Sequence, residues 1–164
     1  MTSLLEKYIP WYPIKNLMGD YAIHYFKHTF EGLTLYLAKC GTSRDTRLVI
    51  YFPGNSVMCR VMNESYRGKF NIYGHEIFKD IAPCGPLLKV EHSDYIKSLE
   101  EEAGDILEAL NFKHYYIGDS EWSFDVASQY QPRVELFIED KLVEKSEHKS
   151  HFDQRKQMEY SLKS

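Results

Sequence analysis

The sequence predicts an α+β fold: a mainly antiparallel, aromatic-rich sheet of about six to seven strands, with one main helix (about 94–110) packed on a face. Three observations predict it. Short runs of β-branched and aromatic residues alternate with turn residues along most of the chain. One segment alone, after Ser93, places apolar residues at helical spacings of three and four. Aromatic residues make up 15% of the chain, and Tyr supplies more than half of them (13 Tyr, 9 Phe, 2 Trp), which suits half-buried strands and contact surfaces. At 164 residues the chain is long enough for one domain with its own core, without disulfides or metals. The expected division is a single domain over 1–145 and a polar, disordered tail over 146–164.

The elements follow in order. Pro10, Pro13 and Gly19 make the first twenty residues an irregular arm, pinned by Trp11, Tyr12 and Leu17. "YAIHYFKHTF" and "LTLYLAKC" flank Glu31-Gly32 as one hairpin. "RLVIYF" and "SVMCRVM" flank Pro53-Gly54-Asn55 as a second. Leu48, Ile50 and Phe52 share one face, Val57, Cys59 and Val61 share another, and Arg60 points away from the latter. "YGHEIFKDIA" is a short helix before the Pro83–Pro86 loop, and "PLLKV" a strand. Ser93 then caps the main helix, Asp94 sits in its first turn, and Ile96, Leu99, Ala103, Ile106, Leu107 and Leu110 form its apolar stripe. Asn111 stops it. "KHYYI" and "WSFDV" are strands around the turn 118–121, and "RVELFI" begins after Pro132.

Residue types that carry chemistry are present, but their contexts are ordinary. His24 and His28 have zinc-ligand spacing only on a helix; on the strand expected here they stand roughly 13 Å apart. His148 and His151 fall in the tail. Neither pair makes a metal site, and no cofactor is expected. Cys84 in "APCGP" is the best nucleophile candidate, with His92 and His114 as possible bases. A reactive cysteine needs a nearby cation or helix N-terminus, and this neighbourhood is acidic. Asp125, between Phe124 and Val126, alternates onto the face opposite them with Ser123, which reads as solvent-exposed. Cys40, Cys59 and Cys84 suggest reduced thiols of the cytoplasm. A leader peptide is not expected, because Glu6, Lys7 and Pro10 interrupt "SLLEKYIPWYP". The apolar runs fall far short of the ~20 residues that span a bilayer.

Charge distribution is the most informative functional feature. Residues 81–140 carry 13 Asp or Glu against 4 Lys or Arg, a local −9 within a chain of net −4. Wound at 100° per residue, the helix gathers Asp94, Glu101, Asp105 and Glu108 opposite the apolar stripe. Asp119 and Glu121 add two carboxylates beside Trp122, and Tyr130 offers a further aromatic anchor. Lys97 can pair with Asp94 and Glu101, so an ordinary solvated face is the plainer alternative. Such a field repels nucleic acid and anionic lipid and attracts a basic protein. A weaker basic cluster (Arg44, Arg47, Arg60, Arg67, Lys69) lies earlier in the chain.

From "PLLKVEHSDYIKSLEEEAGDIL" through "FKHYYIGDSEWSFDVASQYQPRVEL", roughly residues 87–138, the chain resembles small cytosolic immunity proteins encoded beside bacterial polymorphic toxins. The resemblance lies in the order of parts: strand, polar helix, "HYYI" strand, "WSFDV" strand, then "QPRVE". It implies a tight protein partner and no catalysis, and carries no residue role across. The expected function is therefore a non-enzymatic inhibitor that binds a basic partner protein, such as a cognate toxin domain, by its acidic surface. A small cytosolic hydrolase or ligand-binding domain with a sheet-lined pocket is the alternative. The oligomeric state is open.

Overall fold

The computed structural model describes residues 5–63, 85–106 and 110–147. The α+β, antiparallel character stands. Among the described residues the strands are β1 (Lys7–Pro10), β2 (Tyr21–Thr29), β3 (Gly32–Lys39), β4 (Thr46–Pro53), β5 (Met58–Asn63), β6 (Leu87–Glu91), β7 (Lys113–Gly118), β8 (Trp122–Ser128), β9 (Arg133–Ile138) and β10 (Lys141–Lys145). They form two five-stranded sheets, in the orders β1-β6-β7-β8-β5 and β10-β9-β4-β3-β2, where the sequence suggested one larger sheet.

Alternation in the central strands explains the two layers. Leu33, Leu35, Leu37, Leu48, Ile50, Phe52, Val134 and Leu136 of the second sheet are at most 2% exposed. They meet Leu87, Tyr115, Ile117, Phe124 and Val126 of the first in one core. The Phe52 and Tyr115 rings meet edge-on at 5.4 Å across the gap. Burying each such side chain contributes roughly 1.5–3 kcal/mol. A slip of one residue would turn all of them outward, so the core also sets register.

Turn chemistry closes the second sheet. Gly32, at φ +142, has no room for a Cβ, which would fall 2.1 Å from the Phe52 carbonyl oxygen. Glu139 and Asp140 both take positive φ (50° and 62°), the requirement of a two-residue hairpin whose twist matches its strands. That hairpin makes β10 out of a segment whose polarity reads as the start of a tail. Ser146 stays tied to β9, its amide donating to the Val134 carbonyl (2.8 Å) and its Oγ accepting from the Val134 amide (2.9 Å).

β4 and β5 do not form a hairpin, because the chain crosses at 54–57 from one sheet to the other and β5 pairs with β8. The N-terminal arm is not wholly irregular, since β1 pairs with β6 along the edge of the first sheet. Leu17 is buried and Trp11 rests on Tyr115, while Tyr12 is 48% exposed. The readings of a helix over 73–82, of a reactive Cys84, and of Arg67 and Lys69 lie outside the described residues, as do His148, His151 and the rest of the tail.

The helix α1 (Asp94–Ala103) begins at Ser93, whose Oγ accepts from the Ile96 amide at 2.9 Å, and passes at Gly104 into a 3-10 turn (Gly104–Ile106). It lies on the outer face of the first sheet, where the Tyr95 ring packs edge-on against His114 (5.4 Å). Tyr95 is its buried residue. Of the expected stripe, Ile96 and Leu99 are half-buried, Ala103 is exposed, Ile106 is 70% exposed and Leu110 is 38% exposed. Aromatic insertion by one side chain replaces much of the continuous stripe.

Candidate functional site

α1 presents its carboxylates to solvent. Glu101 and Glu102 are exposed and have no ion-pair partner among the described residues, and Glu100 is half-buried. Asp94 is exposed and pairs with Lys97 at 3.3 Å, while its amide donates to Glu6 Oε1 at 2.8 Å. The Asp105 side chain and Glu108 lie outside what the structure describes. Among the described residues, two of the arginines of the basic cluster are engaged elsewhere. Arg47 pairs with Asp45 and Asp140, and Arg60 pairs with Asp125. Arg44 is exposed at the far end of the other sheet.

The turn carboxylates are separate from the helix. Helix α1 starts beside the end of β6, and the chain returns at Leu110, whose carbonyl accepts from Gln129 Nε2 at 3.0 Å. Both points lie at the Lys113–Ser128 end of the β7–β8 pair. The turn 119–121 joins the opposite ends, at Gly118↔Ser123, five residue steps or roughly 17 Å along the strands. Asp119 is half-buried and its oxygens are occupied by backbone amides of Ile23, Glu121 and Trp122, each at 2.7 Å. Glu121 is exposed, Trp122 is 43% exposed, and Tyr130 is half-buried beyond the end of β8. Of the residues proposed from sequence, the described ones divide into Asp94 and Glu101 on the helix, Asp119, Glu121 and Trp122 at the turn, and Tyr130, and Asp119 acts within the fold.

Sequence reasoning missed a buried polar chain under α1. Asp125 is fully buried, not solvent-facing as its alternation suggested, because the outer face of the first sheet is itself covered. Its Oδ1 lies 3.0 Å from His114 Nε2, and its Oδ2 accepts from Arg60 Nε (3.0 Å) and Nη2 (2.8 Å). His114 Nδ1 lies 2.8 Å from Ser93 Oγ. A neutral ring carrying its proton on Nε2 satisfies both contacts, Nε2 donating to Asp125 and Nδ1 accepting the Ser93 hydroxyl. The Arg60 guanidinium closes the chain from the solvent side, 4.8 Å over the Tyr95 ring. The sequence signal available was Arg60 on the face opposite Cys59; what it lacked was the β5–β8 pairing that sets Arg60 against Asp125.

Ser93, His114 and Asp125 have the residue types of a hydrolase triad, but they are wired into the helix start. Ser93 Oγ is the helix cap, Ser93 is buried, and the first-turn amide of Asp94, which could face an oxyanion, is taken by Glu6. The arrangement neutralises a buried carboxylate and anchors α1. Burial, reinforced by Cys59 and Asp125 and opposed by Arg60, pushes the Tyr95 phenol up to about 12.

The remaining candidates are dispersed. His24 is the extra residue of a bulge in β2, and both it and His28 are exposed; His28 Nδ1 lies 3.8 Å from Cys59 Sγ. Burial pushes the Cys59 thiol up, away from the thiolate. His92 is exposed at φ 55, between β6 and the helix cap. Among the described residues no group of three or more His, Cys, Asp or Glu is arranged to hold a metal ion, and no helix is long and apolar enough to cross a membrane. Compared with family models, with curated proteins and with solved structures, the chain matches none.

Proposed function

We propose that this chain is a non-enzymatic, cytoplasmic protein-binding inhibitor that docks a basic partner protein against the exposed acidic side of α1, in the manner of the immunity proteins its sequence resembles. The observation that carries this reading is the exposed pair Glu101 and Glu102, which has no ion-pair partner among the described residues while Arg47 and Arg60 are committed to other carboxylates. Like charges side by side on a surface add nothing to fold stability; they attract and orient an oppositely charged partner. Asp94 extends the same side at the helix start. Trp122 and Glu121, at the other end of the sheet, form a separate contact that only a large partner could reach together with α1.

The test is direct. A basic domain should be encoded beside this chain, bind it at a rate that falls steeply with salt, and lose its own activity on binding. A neighbouring product that neither binds nor is inhibited contradicts the reading.

The hydrolase alternative draws on one observation, the Ser93–His114–Asp125 alignment. A fluorophosphonate probe distinguishes the two. Labelling of Ser93 that His114→Ala abolishes would favour hydrolysis, and an unlabelled folded protein favours binding.

A further inference from the structure

No described element covers the outer face of the second sheet, and its register makes it complementary to itself. Three rows of side chains run across it: Ala22–Ala38–Arg47–Phe137–Leu142, Tyr25–Tyr36–Val49–Glu135–Lys145, and Lys27–Thr34–Tyr51–Arg133. None of these residues is buried, and Tyr25 (58%), Tyr36 (40%) and Leu142 (50%) are strongly exposed. β4 is the central strand.

We propose that this face is the interface of a homodimer, with a two-fold axis lying along β4. Such an axis sets β3 over β9 of the second copy and β2 over β10. The consequence can be read row by row. The small Ala22 and Ala38 then oppose the large Leu142 and Phe137. The Tyr36 hydroxyl opposes the Glu135 carboxylate, and the Tyr25 ring opposes the Lys145 ammonium. On the axis Val49, Arg47 and Tyr51 each meet their own copies, and Arg47 arrives there already paired with Asp45 and Asp140. This is the reciprocal pattern of an isologous contact, in which each residue meets a partner that meets it in return.

Charge supports a second copy over a nucleic acid. Arg47 is paired with Asp45 and Asp140, and Arg133 with Glu135, so two of the cations on this face arrive already neutralised. Size agrees as well. Five strands about 4.8 Å apart and six residues at about 3.4 Å give a flat footprint on the order of 500 Å² before side-chain relief is added. A standard interface buries about 800 Å² of accessible surface per partner, the same scale. Helix α1 lies on the other sheet, so the dimer leaves both acidic sides free, and this inference stands or falls apart from the proposed function.

Sedimentation velocity of the full chain, from low micromolar to the highest soluble concentration, tests it. The wild type should reach twice the 19.3 kDa chain mass. Tyr36→Glu sets like charges against Glu135 of the other copy and should run as a folded monomer that still unfolds in one cooperative thermal transition. Adding Glu135→Lys should restore the dimer, because within one chain these positions are separated by β4, about 10 Å across two strand spacings. If Tyr36→Glu fails to fold, Leu142→Arg, which drives a cation against Ala22, takes its place. A wild type that stays monomeric throughout, a folded Tyr36→Glu that remains dimeric, or a folded double variant that is not restored would each overturn the proposal.

Discussion

The Asp119 carboxylate accepts the Ile23 amide hydrogen at 2.7 Å, and this bond joins the β7–β8 turn of one sheet to the edge strand β2 of the other. Its second oxygen takes the Glu121 and Trp122 amides, so the residue sets the turn and covers one otherwise unpaired edge amide together. Asp119→Ala should therefore cost roughly 1.5–3 kcal/mol in urea unfolding, the range for bonds to a charged group. Asp119→Asn should cost less, since its carbonyl oxygen can still serve the turn. A loss below about 0.5 kcal/mol would mean the carboxylate is dispensable to the fold and free for a partner.

The buried carboxylate makes a second prediction about rank order. Asp125→Ala leaves His114 and Arg60 without their acceptor and should destabilise by about 3–5 kcal/mol. Arg60→Ala should cost distinctly less, because the Arg60 side chain is 45% exposed and water can take its place. Chemical denaturation of both variants checks this, and the reverse order would contradict it.

At low pH, Glu144 is a sensitive point. The backbone amide of Lys15, at 2.5 Å, and the amides of Asn16 hold its carboxyl below the ordinary 4.5. A depressed folded value means a contribution fully present above the unfolded value and lost as pH falls through the folded one. Stability measured downward from pH 4.5 should fall less steeply in Glu144→Gln than in the wild type. Parallel pH profiles would show that the loop 11–20 is not held by this carboxylate.

High pH probes the core from the opposite direction. Burial pushes Tyr115, like Tyr95, up to about 12. For a raised folded value, the contribution is complete below the unfolded value of about 10 and disappears as pH rises through the folded one. Ultraviolet titration should show these two phenols ionising late, together with a loss of stability between about pH 10 and about pH 12 that Tyr95→Phe and Tyr115→Phe reduce. Phenols that all titrate near 10 would contradict the packing of both rings.

Local pattern made much of the fold legible. Period-two alternation placed Leu48, Ile50 and Phe52 on the core face, and Ser93 announced the helix start, because each depends on neighbours close in sequence. What could not be read depended on distant pairing. The crossing at 54–57 resembles a hairpin locally, and only the β5–β8 pairing reveals that Arg60 meets Asp125. For the same reason Asp125 looked solvent-facing: its face is polar by alternation, yet α1 covers it. The acidic side of α1 was legible because helical winding follows from spacing alone. Its separation from Asp119 and Glu121 was not, since it follows from which ends of β7 and β8 the helix and the turn occupy.

The central claim, that the exposed carboxylates Glu101 and Glu102 of α1 recruit a basic protein, is tested most directly by stopped-flow association with the product of the neighbouring gene, where that product is a basic domain. The double reversal Glu101→Lys and Glu102→Lys should slow association about tenfold or more at low salt and flatten its salt dependence, with the melting transition unchanged. An association rate equal to the wild type's at every salt concentration would contradict the account.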